Sequence, residues 1–439
     1  MKFFILFLVT FLMISEARFT IKSASRPKSA IDRLSRHSVR DNYTIPQKCS
    51  YYANQITPFT QNEQLNYKKR YLQNFFAPWY KKSMGESNNN LKWQIRFVKR
   101  RTIYGFNKQV IPKGIALLWI KNSNFSALDT VKAKAISIKH SNLRAFPTDQ
   151  DIYRNPNKST EYYPFDYNQN SELHPNTPLY LSHYSLDREW AFVHAGHTFG
   201  WLRISDFALV DKNFIRHFMG QQYFISVKDN LFIYKNRKPY TIVKLGTLFP
   251  EKDGKILLAT RAKDGKAKIE FMGRTSSSLI AGFPIEFNSK NVAYIAQQFY
   301  NEPYGWGGKA FCRDCSATTR DFFAPFGIYL MRNSAEQAKE GKYVISIKGL
   351  PKKLKKATII KYAKPFRSLL YVPGHIVLYL GRYKNEPIVM HTYWGIRLND
   401  WSKYTLSRTI ITTTEPGKEH PNIREKSKLI NSLQKIINF

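Results

Sequence analysis

Two successive stretches of the chain consist of short runs of alternating apolar and polar residues, separated by clusters of Asn, Asp, Pro and Gly. The first stretch spans residues 125–212 and includes the run WAFV at 190–193; the second spans residues 213–285 and includes LFIY at 231–234. A period of two residues with turn signals at short intervals predicts strands and argues against helices. We therefore expect two tandem small β-barrels in the middle of the chain.

The segments on either side of the barrels follow other patterns. Before them, the apolar residues from Gln61 to Phe76 recur three and four positions apart, which predicts a helix that Pro78 ends. After them, two helical stretches precede apolar strands, an order typical of an α+β module. Because 439 residues exceed one compact core, we predict an α+β multidomain protein. The expected organisation is a flexible linker at 18–46, a helical segment at 47–124, barrels at 125–212 and 213–285, and the α+β module at 286–439.

The first 17 residues have the layout of a secretory signal peptide. Lys2 supplies the positive start, an apolar run extends from Phe3 to Ile14, and small residues stand at Ser15 and Ala17. So short an apolar run, followed at once by charged residues, is typical of an export signal rather than a spanning helix. We expect cleavage after Ala17 and a location in the periplasm or cell envelope. The alternative is that the segment stays uncleaved and anchors the protein to the membrane.

The chain is strongly basic, with 69 Lys and Arg against 31 Asp and Glu and a formal net charge of +38. Such a charge favours anionic partners, which for an exported protein are polymers of the cell envelope or lipid head groups. Nucleic acid is the corresponding partner of a cytosolic protein, so we expect none here. The charge is spread along the chain and defines no binding site by itself. We expect the protein to be a monomer.

A cysteine and two histidines stand at positions suited to nucleophilic catalysis. A glycine-rich turn at 303–308 leads to Cys315, which we place at a helix start, where the helix dipole and free N–H groups stabilise a thiolate. The glycines are expected to let the loop fold tightly and to admit a substrate backbone. His375 begins an apolar strand and His391 lies in the next one. In a hairpin, His375 could take the thiol proton while His391 orients its ring.

Other roles for the cysteines stay open. The spacing Cys312-x-x-Cys315 occurs in redox and zinc motifs, but a thioredoxin-like motif needs a preceding strand and zinc needs about four ligands. The sequence has neither that strand nor a second cysteine pair. Cys312 could instead pair with Cys49 in an oxidising compartment, which would leave Cys315 as the free thiol.

Residues 303–316 and 373–391 resemble the NlpC-type cell-wall cysteine peptidases, a papain-like group. The resemblance rests on a Tyr-x-Trp-Gly-Gly loop, an Asp-Cys-Ser helix start, a Gly-His strand and an Arg-x-Ser that matches residues 332–334. Upstream, the sequence FFAPW at 75–79 resembles the N-terminal clamp of a multidomain subfamily. Segments at 143–148 and 185–190 resemble its first bacterial SH3-like domain.

This resemblance implies a fold and a set of site residues. The implied fold is two SH3-like β-barrels followed by a papain-like α+β cysteine peptidase domain. The implied catalytic residues are Cys315 as nucleophile, His375 as base and His391 as the orienting residue. The implied substrate-binding residues are Asp314, for the ammonium of a terminal L-alanine, and Tyr304, Ser316 and Ser334, for the peptide or its carboxylate.

The resemblance also implies a substrate. Members of the subfamily are similar to γ-D-glutamyl-L-diamino-acid endopeptidases, which cut peptidoglycan stem peptides and muropeptides through a thioester, without a metal or other cofactor. The alternative function is a non-catalytic wall-binding protein with a degenerate peptidase module. The presence of Cys315, both histidines and Asp314 argues against that alternative.

Overall fold

The computed structural model describes residues 38–439 except 159–161, 236–237, 274–275 and 277. The predicted signal peptide and most of the predicted linker lie outside these residues. Along the described chain, a helical segment, two β-domains and an α+β domain follow one another in the predicted order. Within this part of the chain, no helix combines the length and the apolar character needed to cross a membrane.

The N-terminal segment is helical, as the spacing of its apolar residues predicts. It contains α1 (Asp41–Thr44), α2 (Cys49–Ala53), α3 (Gln61–Phe76), α4 (Asn88–Leu91), α5 (Trp93–Lys99) and α6 (Lys113–Asn122). The long helix α3 begins at a capping box, in which Thr60 and Glu63 accept hydrogen bonds from each other's backbone N–H groups. Pro78 lies in the turn that follows it. The indole of Trp79 then donates a 2.8 Å hydrogen bond to the carbonyl of Ala135, which joins the segment to the first β-domain.

The end of the predicted flexible linker is ordered, so the prediction was wrong for residues 38–46. Asp41 is buried in α1, and its carboxylate accepts 2.8 Å hydrogen bonds from the N–H and the hydroxyl of Thr413 in the α+β domain. A buried carboxylate needs such donors, and here they come from a residue 372 positions away. The polar composition of residues 38–46 therefore gave no sign of a contact that forms only in the folded chain.

The first β-domain is one seven-stranded antiparallel sheet in the order β3-β2-β6-β5-β4-β1-β7. Its strands are β1 (Ala133–Ser137), β2 (Ser141–Arg144), β3 (Gln169–Leu173), β4 (Pro178–Tyr184), β5 (Trp190–His194), β6 (Phe199–Arg203) and β7 (Phe207–Leu209). The alternating runs predicted four of these strands. They did not predict β3, whose sequence QNSEL is polar although it is largely buried. That strand packs against the glycine-rich turn of the α+β domain, and its polar residues serve the contact.

The second β-domain follows the short helix α7 (Lys212–Met219). It consists of a five-stranded sheet in the order β13-β12-β11-β8-β14 and a separate hairpin of β9 and β10. Its strands are β8 (Gln222–Ser226), β9 (Leu231–Lys235), β10 (Lys238–Val243), β11 (Leu248–Lys252), β12 (Lys255–Arg261), β13 (Ala267–Gly273) and β14 (Ile280–Gly282). Leu231, Phe249 and Leu258 belong to the core that joins the hairpin to the sheet.

The α+β domain is a six-stranded antiparallel sheet in the order β15-β20-β16-β17-β18-β19. Its elements are α8 (Ser289–Gln297), α9 (Cys315–Phe323), α10 (Ser334–Gln337), β15 (Tyr343–Ser346), α11 (Lys352–Tyr362), β16 (Ser368–Val372), β17 (His375–Tyr383), β18 (Glu386–Arg397), β19 (Lys403–Thr413), α12 (Leu429–Ser432) and β20 (Lys435–Asn438). Helix α9 shares a core with Ile376 and Leu378 of β17, whereas Val377 and Tyr379 pack with residues of α11 on the other face. The packing brings the N-terminus of α9 to the first residues of β17.

A buried ionic network ties the second β-domain to the α+β domain. Arg313 is fully buried two residues before Cys315, and its guanidinium donates to Asp229, Glu302 and Asp321 at 2.6 to 3.0 Å. Asp229 belongs to the second β-domain, and the other two acids belong to the α+β domain. A buried guanidinium is tolerated because several carboxylates share its charge and its hydrogen bonds.

Candidate active site

Cys315 is the first residue of α9 and lies in a cleft of about 290 Å³. Its sulfur lies near the backbone N–H of Ile376, the residue directly after His375, and this N–H favours the thiolate and so acts to lower the pKa of the thiol. The cleft is lined by Cys315 and by Gly374, which precedes His375. The thiol and the residue that precedes the histidine strand therefore line the same cleft, and proton transfer between Cys315 and His375 stays a prediction.

His375 and His391 lie side by side on neighbouring strands. Nε2 of His375 is 3.0 Å from Nδ1 of His391, and Nε2 of His391 is 3.1 Å from the hydroxyl oxygen of Thr412. Tyr393 stacks on both imidazoles, and the centroid of its ring lies 4.8 Å from the centroid of each imidazole. The hairpin of β17 and β18 thus gives His391 the position from which it can orient His375. The sequence analysis did not identify Thr412 or Tyr393.

Burial favours the neutral forms of both the thiol and the imidazole, which opposes the expected preformed thiolate. Burial, followed by the nearby charge of Asp314, raises the pKa of the Cys315 thiol to about 12. Burial likewise lowers the pKa of His375 to about 3. The helix N-terminus favours a thiolate, whereas removal of the sulfur from water and the adjacent carboxylate oppose it.

Asp314 is the N-cap of α9 and accepts five hydrogen bonds. The donors are the backbone N–H groups of Gly307 and Ala317, the hydroxyl of Ser316, and two nitrogens of Arg332. Burial alone would raise the pKa of this carboxyl, but the charge and hydrogen bonds of Arg332 hold it below its usual value. Asp314 is the only acidic residue among the described residues that line the cleft. Its contact with a substrate ammonium stays a prediction.

The other predicted substrate-binding residues all line the cleft. Tyr304 is buried and lines the cleft, and burial followed by the charge of Asp314 raises its pKa well above 10. The hydroxyl of Ser316 donates to Asp314 and accepts from Arg332 at 2.8 Å, so it is part of the cluster around the cap. Ser334 opens the short helix α10 at the edge of the cleft. Their contacts with a substrate stay predictions.

The glycine-rich turn admits a strand of the first β-domain rather than a substrate backbone. Gly307 has φ +61°, and a Cβ built there would lie 2.6 Å from the carbonyl oxygen of Gln169 in β3. Gly308 has φ +85°, and its Cβ would lie 2.6 Å from the side chain of Glu172 in the same strand. The side chain of Gln169 also donates to the Gly307 carbonyl at 3.0 Å. Both positions therefore need glycine for conformation and for close packing between domains.

Four residues of the cleft wall come from outside the α+β domain and were missed by the sequence analysis. Trp93 comes from α5, and the first β-domain supplies Tyr167, Gln169 and Asn170. Tyr167 stacks on Phe97 with the ring centroids 4.5 Å apart, which joins the two contributing segments. No local pattern marks these positions, because their role depends on how separate domains dock.

All three cysteines are free, so the alternative disulfide between Cys49 and Cys312 is absent. In the described part of the chain, Glu172, His174 and Asp321 form the one group whose ligand atoms lie close enough to hold a metal, within 4.8 Å of one another. None of these residues lines the cleft around Cys315. The guanidinium of Arg313 already donates to Asp321 at 2.6 Å, so a positive charge occupies the carboxylate that a cation would need.

Sequence profiles of known families match each part of this architecture. The profile of the NlpC/P60 family matches residues 301–411, which contain Cys315, His375 and His391. The N-terminal stabilising domain of NlpC/P60 proteins matches residues 4–128, and an SH3 domain of the SH3b1 type matches residues 152–203. The chain belongs to the NlpC/P60 family. Membership places it among the cysteine peptidases that act on cell-wall peptides.

A solved structure of an NlpC/P60 protein shares the fold over most of the chain. An NlpC/P60 endopeptidase from Photobacterium damselae subsp. piscicida superimposes with a TM-score of 0.80 at 22% identity, covering 90% of this chain and 97% of that one. An NlpC/P60 family protein from Bacillus cereus gives a TM-score of 0.45 at 12% identity, covering 70% of this chain and 99% of that one. At 22% identity, the first likeness supports the fold alone. No curated protein sequence matches the chain significantly.

Proposed function

We propose that this NlpC/P60 protein is an endopeptidase that cleaves the γ-D-glutamyl-L-diamino-acid bond of peptidoglycan stem peptides. The observation that carries the proposal is the junction of α9 and β17. There the N–H of Ile376 lies near the sulfur of Cys315, while the neighbouring His375 is hydrogen-bonded to His391. A nucleophile, a base and a group that orients the base are the three parts of a cysteine peptidase site.

The proposed reaction begins with a proton transfer. His375 takes the proton of the Cys315 thiol, and the sulfur attacks the γ-carbonyl carbon of D-glutamate. The carbonyl oxygen becomes an oxyanion, which the backbone N–H groups at the start of α9 stabilise, including that of Cys315. The carbon–nitrogen bond breaks, and the leaving amine takes the proton from His375. Water then hydrolyses the thioester with His375 as base, which restores the thiol.

The walls of the cleft support a peptide substrate. Tyr304, Ser316 and Ser334 provide hydroxyl groups along one side, where they could bond the peptide or its carboxylates. Asp314 provides the carboxylate nearest to a terminal L-alanine ammonium. Trp93 and Tyr167 add aromatic surface from the other domains, which would limit how far a substrate extends. The proposed substrate is thus a stem peptide or muropeptide that enters the cleft as an extended chain.

Export is part of the proposal, because peptidoglycan lies outside the cytoplasm. It rests on the N-terminal segment of the sequence, with Lys2 and the apolar run from Phe3 to Ile14. The net charge of +38 would favour encounter with an acidic envelope without adding specificity.

Digestion of purified stem peptides, followed by mass spectrometry of the products, tests the proposed activity. The protein should release a fragment that ends in D-glutamate, and Cys315→Ala should abolish the release. Cys312→Ser is the matched control, because that thiol only donates to the carbonyl of Ala310 and should be dispensable. Undiminished digestion by Cys315→Ala would exclude the mechanism. Absence of any cleavage by the unmodified protein would favour the non-catalytic alternative.

A further inference from the structure

The hydroxyl of Thr412 marks the end of the hydrogen-bonded chain that starts at His375. Thr412 is fully buried on β19, and its hydroxyl hydrogen is donated to the carbonyl of Thr413 at 2.7 Å. A threonine hydroxyl has a single hydrogen. The oxygen of Thr412 can therefore act only as an acceptor toward Nε2 of His391, which is 3.1 Å away. The hydrogen between these two residues must therefore belong to Nε2 of His391.

This assignment determines the tautomer of the next ring. Burial holds the pKa of His391 well below its usual value, so the ring is neutral and carries one hydrogen. With that hydrogen on Nε2, its Nδ1 is a lone pair that faces Nε2 of His375 at 3.0 Å. His375, also neutral because burial lowers its pKa to about 3, must carry its own hydrogen on Nε2. Nδ1 of His375 is left as the lone pair that can accept a proton.

Strand pairing explains how the hydroxyl of Thr412 reaches the imidazole of His391. In the register of β18 and β19, Val389 lies opposite Thr412 and His391 lies opposite Ile410. Thr412 is therefore the diagonal neighbour of His391 on the same face of the sheet, a separation that side chains of this size can bridge. The contact depends on the register, since a shift of one residue would turn the hydroxyl to the other face.

We propose that Thr412 is a positioning residue that holds His375 in the tautomer required for the peptidase reaction. The inference rests on the proposed function. Without the acceptor at Thr412, His391 can carry its hydrogen on Nδ1 and donate it to Nε2 of His375. The hydrogen of His375 would then lie on Nδ1, and the ring could no longer accept the thiol proton. Thr412 itself exchanges no proton with the substrate, because the hydrogen on Nε2 of His375 stays in place through the cycle.

The kinetic test compares Thr412→Val, which keeps the shape and removes the hydroxyl, with Thr412→Ser, which keeps the hydroxyl. We expect kcat to fall at least about tenfold in the valine variant with KM unchanged, and to stay near the original in the serine variant. Thr409→Val is the matched control. Thr409 is equally buried on the same strand, but its hydroxyl bonds Thr392 at 2.7 Å on the opposite face.

A second measurement does not depend on activity. Nitrogen-15 NMR of histidine-labelled protein reports which ring nitrogen carries the hydrogen in His375 and His391. We expect Nε2–H in both rings of the original protein and of Thr409→Val, and Nδ1–H in a measurable fraction of Thr412→Val. Nδ1–H on His375 in the original protein would overturn the inference, as would equal kcat values in Thr412→Val and Thr412→Ser. If no stem peptide is cleaved, the proposed function fails, while the tautomers still test the role of Thr412.

Discussion

The guanidinium of Arg332 binds both carboxylate oxygens of Asp314, with Nη1 3.0 Å from Oδ1 and Nη2 2.7 Å from Oδ2. Nε of the same guanidinium donates to the hydroxyl of Ser171 in the first β-domain at 2.9 Å. The only described carboxylate that lines the cleft therefore already has a cationic partner, and that partner also holds the domain interface. Two predictions follow from this pairing, one for the substrate and one for the fold.

Acetylation of the L-alanine amine of a stem peptide should reduce the cleavage rate only modestly. The positive charge of Arg332 already balances Asp314, so a substrate ammonium gains little from it, and we expect a loss of at most about tenfold in kcat/KM. The measurement compares kcat/KM for free and acetylated versions of one peptide. A loss of several orders of magnitude would mean that Asp314 binds the ammonium as its main partner, in spite of Arg332.

Replacement of Arg332 by Met should destabilise the protein by about 3–5 kcal/mol, because it leaves the buried charge of Asp314 without its partner. Arg332→Lys should recover part of the stability but little activity, since an ammonium lacks the planar fork that binds both oxygens. Chemical denaturation measures the first effect and peptide cleavage the second. Arg203→Met is the control. Arg203 pairs with Asp149 and Glu189 at the surface, so its replacement should lower the free energy of unfolding by less than about 1 kcal/mol. An equal loss in the two methionine variants would contradict the prediction.

The rate at which iodoacetamide alkylates Cys315 should rise continuously with pH. With the thiol pKa raised to about 12, the thiolate fraction grows about tenfold per pH unit through the neutral and mildly alkaline range. Peptide mapping by mass spectrometry should also show Cys315 modified before Cys49, which is completely buried in the core. A plateau of the alkylation rate near neutral pH would instead indicate a preformed thiolate–imidazolium pair with His375.

The folded state should lose stability as the pH falls below about 6.5. Burial lowers the pKa of His174 to about 4 and that of His194 to about 3. Between these values and the unfolded value near 6.5, the unfolded chain binds more protons than the folded one, so acidification favours unfolding. Protonation of His194 would also remove the acceptor of the hydrogen bond from the N–H of Gly196.

Thermal unfolding at a series of pH values measures this effect. His194→Gln should flatten the fall in stability between pH 6.5 and about 4. The matched control is His217→Gln. The imidazole of His217 is exposed on α7, so its replacement should leave the dependence of stability on pH unchanged. Identical slopes in the two variants would show that His194 does not contribute to the acid sensitivity.

Asp229→Ala should weaken the attachment of the second β-domain. The change removes one of the carboxylates that balance the buried Arg313, and we expect a loss of about 3–5 kcal/mol. Glu270→Ala in the same domain is the control, since Glu270 pairs with Lys235 near the surface. Denaturation and limited proteolysis should show early release of the second β-domain only in Asp229→Ala. Equal behaviour of the two variants would mean that the ionic network does not hold the interface.

The helix of Cys315 and the strand of His375, the proposed nucleophile and base, could be predicted from the sequence because their signals are local. A cysteine at a helix start and a histidine at a strand start are each visible within about ten residues, and the helix of Cys315 and the strand of His375 form as expected. The protonation state could not be predicted in the same way. The helix N-terminus favours a thiolate, whereas the burial that opposes it depends on how distant parts of the chain pack around Cys315.

The sequence by itself determined the order of the domains and the position of Cys315 in its helix, because hydrophobic period and helix capping act over neighbouring residues. Only the tertiary structure decided that Asp41 is buried against Thr413, that Gly307 packs on Gln169, and that Thr412 ends the histidine chain. Each of these contacts joins residues far apart in the chain or in different strands. Their energies depend on desolvation and strand register, which exist only once the domains have docked.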